Sequence, residues 1–227
     1  MTGSYAAAGS QRWLQVSVSR APHLLDAALR RAGAIEGEDS FHWKSPIAAE
    51  NFVEYRDEAV LRVLGVKSLP NRALTDFWPR RGPVWDALGV SDKGLMILAE
   101  AKAHIAEAAS PPSKASETSL AHIRRSLKEA RSFYAPNASA SWSDSLYQYA
   151  NRLAFQYLFA HLNNLPSRLV FLDFCNAEDV DGPKSEAEWH GATRLIHALL
   201  GLPADLTKFG IFHAYIDAAL VAKTLDT

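Results

Sequence analysis

Gly82-Pro83-Val84-Trp85-Asp86, followed after thirteen residues by Glu100-Ala101-Lys102, is the stretch on which the fold turns. Between its halves, Gly94-Leu95-Met96-Ile97-Leu98-Ala99 reads as a buried strand, a short apolar run bounded by turn residues. Alternate side chains of a strand share a face, so Glu100, Lys102 and His104 point one way and Ala99, Ala101 and Ala103 the other. An acid and a base closing an apolar strand are out of place in a plain core element, because strand interiors seldom carry Glu or Lys. The Gly-Pro turn sets Asp86 at the start of the strand pair.

Two carboxylates and a lysine in this arrangement suit phosphodiester hydrolysis. Asp86 and Glu100, helped by the main-chain carbonyl of Ala101, offer the oxygen ligands that a hard cation such as Mg2+ wants. Such a metal polarises the scissile phosphate and acidifies a water. Lys102 then stabilises negative charge in the transition state, or positions that water. The same three residues also read as a surface salt bridge between Glu100 and Lys102 beside a solvated Asp86.

The order of acidic helix, turn, Asp, hairpin, apolar strand and Glu-x-Lys resembles the core of the PD-(D/E)XK nuclease superfamily. The resemblance covers roughly residues 47 to 104, with a looser continuation to about 175. In that family the Asp commonly follows a Pro directly, whereas Pro83 lies three residues before Asp86. The longer string Asp76-Phe77-Trp78-Pro79-Arg80-Arg81-Gly82-Pro83-Val84-Trp85-Asp86 looks like the signature of a bacterial subfamily. The resemblance implies an α/β fold of the restriction-endonuclease-like kind, an αβα sandwich with a central mixed sheet flanked by helices. It implies a nuclease dependent on Mg2+ or Mn2+ that hydrolyses DNA in repair, restriction or defence. Asp86, Glu100 and Lys102 would be catalytic, and Asp86, Glu100 and Ala101 would hold the metal. The alternative is a non-catalytic member of the same fold that binds nucleic acid or a protein partner. A homodimer or a partner that delivers the substrate is compatible with either.

A helix rich in carboxylates is expected over Ala48 to Leu64, and in the family such a helix often adds an acid to the site. Asp57 borders its apolar face, with Glu54 one turn earlier on the same edge. Arg80 and Arg81, close before Asp86, are candidate substrate contacts. Gln148, Arg152 and Gln156 recur at i, i+4 and i+8 on one face of a later helix, and the first two are candidates to line the site or touch a phosphate.

Composition fits this class. The 227 residues are 48% apolar and 22% charged, ordinary for a globular domain. One cysteine, Cys175, excludes an internal disulfide and any multi-cysteine zinc site, as expected for a reducing cytoplasmic setting. No segment approaches the roughly 20 apolar residues of a membrane helix. The net charge of −1 excludes a uniformly basic nucleic-acid binder, so any basic surface is local. There is no Gly-x-Ser-x-Gly, no phosphate loop, no Gly-x-Gly-x-x-Gly and no His-Glu-x-x-His.

The remaining pattern predicts one domain with residues 1 to about 45 as an N-terminal addition. A strand is expected over 12 to 18 and a helix over 22 to 32, stopped by Gly33. A proline- and serine-rich loop over 109 to 119 leads to a helix capped by Ser116 or Thr118. Then come a loop to 145, a long helix over 146 to 162, and a buried strand over 168 to 174. A helix over 185 to 200 and a strand over 209 to 216 follow. Cys175 is expected to be a buried structural thiol and the tryptophans core.

Overall fold

A computed structural model describes residues 4–37 and 39–225. Five strands, β1 (Phe41–Ser45), β2 (Ala87–Ser91), β3 (Met96–Lys102), β4 (Ser167–Cys175) and β5 (Ile211–Asp217), lie side by side in sequence order. β1, β2 and β3 pair antiparallel, and β3, β4 and β5 pair parallel. The protein is therefore α/β with an open mixed sheet, compatible with the expected sandwich. Parallel neighbours need long crossovers, which usually contain helices. Here α5 (Glu117–Tyr134) and α6 (Tyr147–Gln156) join β3 to β4, and α7 (Glu186–Leu200) joins β4 to β5.

Both faces of the sheet are buried. On one side, α1 (Gly9–Arg20), α2 (Pro22–Arg31) and α8 (Ala218–Ala222) cover Ile97, Ala99, Ala101 and their neighbours on β4 and β5. On the other, α5, α6 and α7 cover Leu98, Leu169 and Phe171. The strict alternation expected for β3 is present: the alanines pack under α1, while Glu100 and Lys102 point toward α6.

Two expectations fail. Residues 12 to 18 are helical, not a strand. Trp13 to Ser17 are all buried, so polar Gln15 and Ser17 face the interior and blur the helical period. Ala6 donates to Gln15 there, at 2.7 Å. Residues 9 to 45 thus supply two helices of one layer and an edge strand. The acidic helix over 48 to 64 is also absent as a unit. A single turn at Ala48–Glu50 ends where Asn51 and Phe52 take left-handed backbone angles. Tyr55 then bridges to Trp85, and the helix restarts only as α3 (Glu58–Val63), with the single turn α4 (Leu74–Phe77) after it. The pull comes from the Tyr55 carbonyl accepting the Trp85 N–H at 2.9 Å.

The other helices follow their local signals. Pro22 opens α2, and Leu25, Ala28 and Leu29 form its buried face. Gly33, at φ +76°, stops it. Ser116, one of the two expected caps, accepts from Ser119 N–H at the start of α5. Residues 157–162 continue α6 as a π-helical turn. Among the described residues, no helix is long and apolar enough to cross a membrane.

Candidate active site

In open parallel sheets, ligands bind beyond the carboxyl ends of the strands. Glu100 and Lys102 close β3, and Asp173, two residues before the end of β4, is paired in register with Lys102. β2 runs antiparallel and begins at the same edge. Its first pair is Ala87 with Ala99, so Asp86 falls opposite Glu100, one step further out. Directly opposed residues of a sheet share a face. Strand pairing alone therefore gathers Asp86, Glu100 and Lys102 at one place.

Glu100 is 1% exposed. Taking a carboxylate out of water costs several kcal/mol unless paired charges and hydrogen bonds offset it. Both cations are present. Lys102 Nζ binds Oε1, and Arg152 Nε, from α6, donates to Oε2 at 2.6 Å. Burial alone pushes Glu100 up, but Arg152 and Lys102 outweigh it and hold the carboxyl below its ordinary value. Lys102 also donates to Gln148 Oε1 at 3.1 Å. Arg152 donates to the Val84 carbonyl at 2.7 Å and lies 4.7 Å from the centre of the Trp85 ring. Of the polar stripe on α6, Gln148 and Arg152 thus join the site. Gln156 turns instead to main-chain carbonyls of Ser167 and Phe209.

Asp86 has no such cations of its own. Its Oδ2 accepts the Ala101 N–H at 2.8 Å. Burial and the negative charge of Glu100 push its carboxyl up to about 7, against the opposing pull of Lys102 and Arg152. It opens onto a groove of about 450 Å³ between Pro83-Val84, the proline loop at Ser110 to Lys114, and α6. That loop is tied to α6, since Ser110 Oγ accepts the Gln148 N–H at 2.7 Å and its carbonyl accepts the Leu146 N–H at 3.1 Å.

The acids expected from the first helix are engaged elsewhere. Asp57 precedes α3 with φ +52°, and its carboxylate accepts the N–H groups of Arg81 and Gly82 at 3.1 and 2.8 Å. Glu54 accepts from Gln11 at the surface. Arg80 and Arg81 line the next groove along. His104 accepts the Ala106 N–H and caps a short turn. Trp78, Trp85, Trp142 and Trp189 are core, and the buried Cys175 thiol is pushed up to about 12 by burial and surrounding carboxylates.

Sequence reasoning missed a second polar chain. Asp173 is 2% exposed and accepts from His213 Nδ1 at 2.6 Å. His213 Nε2 lies 3.2 Å from the Tyr149 hydroxyl, which lies 2.8 Å from His197 Nε2. Burial and His213 push His197 down to about 4. A cavity of about 20 Å³ reaches both this chain and the Glu100–Lys102 pair, room for one water-sized group. The signal was available: Asp173 interrupts Leu169-Val170-Phe171-Leu172, the same anomaly that marks Glu100.

Among the described residues, no group of three or more His, Cys, Asp or Glu is arranged to hold a metal ion. A set of two carboxylates and one main-chain carbonyl falls below that number. The chain matches no family model, no curated protein and no solved structure.

Two outcomes are expected from the ion-pair geometry. In metal-free protein, Asp86 binds its proton more tightly folded than unfolded, so its contribution falls as pH rises from about 4 through about 7. Asp86→Asn removes that penalty. The variant should melt higher than wild type at pH 8, with the gap closing toward pH 4 to 5; a gap independent of pH would show that Asp86 does not titrate there. Arg152→Met leaves Glu100 half compensated and should destabilise by about 3 to 5 kcal/mol in urea titrations. Adding Glu100→Gln should recover part of that loss. Additive losses would place the role of Arg152 in its packing on Trp85.

Proposed function

We propose that this chain is a divalent-metal-dependent nuclease of the PD-(D/E)XK type that hydrolyses phosphodiester bonds in DNA. One observation carries the reading: Asp86, Glu100 and Lys102 meet at the carboxyl edge of the sheet, with Asp86 open to a groove.

The residues fit a hard cation. Asp86 carries a carboxyl raised to about 7, first by burial and then by the negative charge of Glu100 beside it. Glu100 uses one lone pair on each oxygen for Lys102 and Arg152, and a carboxylate has about four such sites. The Ala101 carbonyl leaves its strand toward the same edge as its N–H, which faces Asp86. Asp86, Glu100 and the Ala101 carbonyl would hold Mg2+ or Mn2+. When bound, the cation supplies Lewis acidity toward a phosphoryl oxygen and a water.

The chain's own groups do the rest. Lys102, fixed between Glu100 and Gln148, presents an ammonium to charge building on the phosphoryl oxygens. Arg152 holds Glu100 in one orientation and ties it to Val84, two residues before Asp86. The proline loop walls one side of the groove.

The second reading, a non-catalytic binding member of the same fold, is favoured by one feature. Glu100 is already neutralised by two cations, as in a purely structural ion pair.

Single-turnover cleavage of single- and double-stranded DNA and RNA, with Mg2+, Mn2+ or chelator, separates the two. Metal-dependent cutting is expected on DNA. Lys102→Ala should lower it about 10²- to 10³-fold, the loss seen for one preorganised electrostatic stabiliser, and leave metal binding by calorimetry largely intact. Asp86→Asn should weaken metal binding itself. Full cleavage by Lys102→Ala, or none by wild type on any substrate, would rule out this mechanism.

A further inference from the structure

Beside the groove at Asp86 lies a second one of about 530 Å³, lined by Arg56, Arg62, Arg80 and Arg81. All four arginines are exposed. Among the described residues none of them has a carboxylate partner within ion-pair distance. Asp57 and Glu58 also line the groove, which leaves a surplus of two positive charges in a chain of net charge −1. Four arginines without ion-pair partners around one concavity make a local positive field.

The turn that carries two of them is held in place. Arg81 takes φ +66°, a left-handed angle that a side-chain-bearing residue seldom adopts. Asp57 secures it by accepting the N–H groups of Arg81 and Gly82. A Cβ on Gly82 would stand 3.0 Å from both Asp57 Oδ1 and Phe155 Cζ, so the turn is packed flush against α6 and α3. Such strained angles persist where surrounding contacts over-determine them. The guanidinium groups therefore project from a fixed base.

Pro83 and Val84, directly after this turn, line the Asp86 groove, so the two concavities share one rim. Five residue steps separate Arg81 from Asp86, at most about 18 Å of extended chain. One strand of duplex DNA advances about 3.4 Å per phosphate. The end of the arginine groove at Arg81 thus lies within about five nucleotides of Asp86.

We infer that the groove of Arg56, Arg62, Arg80 and Arg81 is a phosphate-backbone track that seats the nucleic-acid strand up to about five nucleotides from the bond at Asp86. The inference rests on the nuclease reading for its ligand. Planar guanidinium forks match phosphate oxygens in pairs, and they read charge and shape, not base sequence.

Fluorescence anisotropy in chelator tests this without cleavage, using a duplex of about 20 base pairs and its single strand across a salt series. Arg80→Gln and Arg81→Gln, and separately Arg56→Gln and Arg62→Gln, should each weaken binding about tenfold per arginine, the scale of a charged hydrogen bond. The salt slope on duplex should shrink by about 0.9 for each arginine removed. Arg20→Gln with Arg194→Gln, on exposed helix surfaces away from both grooves, should change neither. Melting curves establish that every variant is folded. Wild type that binds and cuts DNA while the groove variants bind equally well overturns the track and leaves the nuclease standing. Equal weakening by the Arg20 and Arg194 control also overturns it, since attraction would then be diffuse. Binding of polyglutamate in place of DNA overturns it in favour of an acidic protein partner. Wild type that neither binds nor cuts nucleic acid removes the nuclease reading and the track together.

Discussion

The burial of the Glu100 carboxylate governs the arrangement of everything around it. At 1% exposure it is tolerable only with charge and hydrogen bonds on both oxygens. Lys102 provides one from the same strand. Arg152 must come from α6, so the helix is drawn onto the sheet at a defined rotation, with Tyr149 and Leu153 sealing the core beside it. The same guanidinium reaches the Val84 carbonyl and lies over Trp85. One ion pair therefore joins a strand, a helix and the turn that delivers Asp86.

Its electrostatic consequence is an asymmetry between two neighbouring carboxylates. Glu100 is held below its ordinary value by two cations, whereas Asp86 is pushed up to about 7 by burial and by Glu100 itself. Environments that separate the titration of adjacent acids are typical of working sites, though structural ion pairs produce them too. Here the raised acid faces the groove and the lowered one faces the interior. The hydrogen-bonded run from Asp173 through His213 and Tyr149 to His197 borders the same small cavity, so the buried side of the site is polar across three strands.

The sequence carried the centre of this structure and lost its edges, for identifiable reasons. Glu100 and Lys102 were legible because polar residues at alternate positions of an apolar strand have few explanations. Gln148 and Arg152 were legible from their i, i+4 spacing. Asp57 is legible as an acid at the edge of an apolar face, but its role as a clamp on Arg81 and Gly82 depends on a chain reversal at Asn51 and Phe52 that no local signal marks. Residues 12 to 18 misled because a helix buried over five consecutive residues has no polar face to reveal its period. Asp173 and His213 lie on different strands, and only their pairing in the sheet brings them together.

The central claim is that Asp86 and Glu100 form a cation site and not merely a buried charge cluster. Crystals of the protein soaked in Mn2+ and measured for anomalous scattering test it most directly. A peak bridging the two carboxylates, with the Ala101 carbonyl among its ligands at about 2.1 to 2.2 Å, is the expected result. Full Mn2+ soaking at neutral pH with no peak there, and with Glu100 still paired to Lys102 and Arg152, would contradict it.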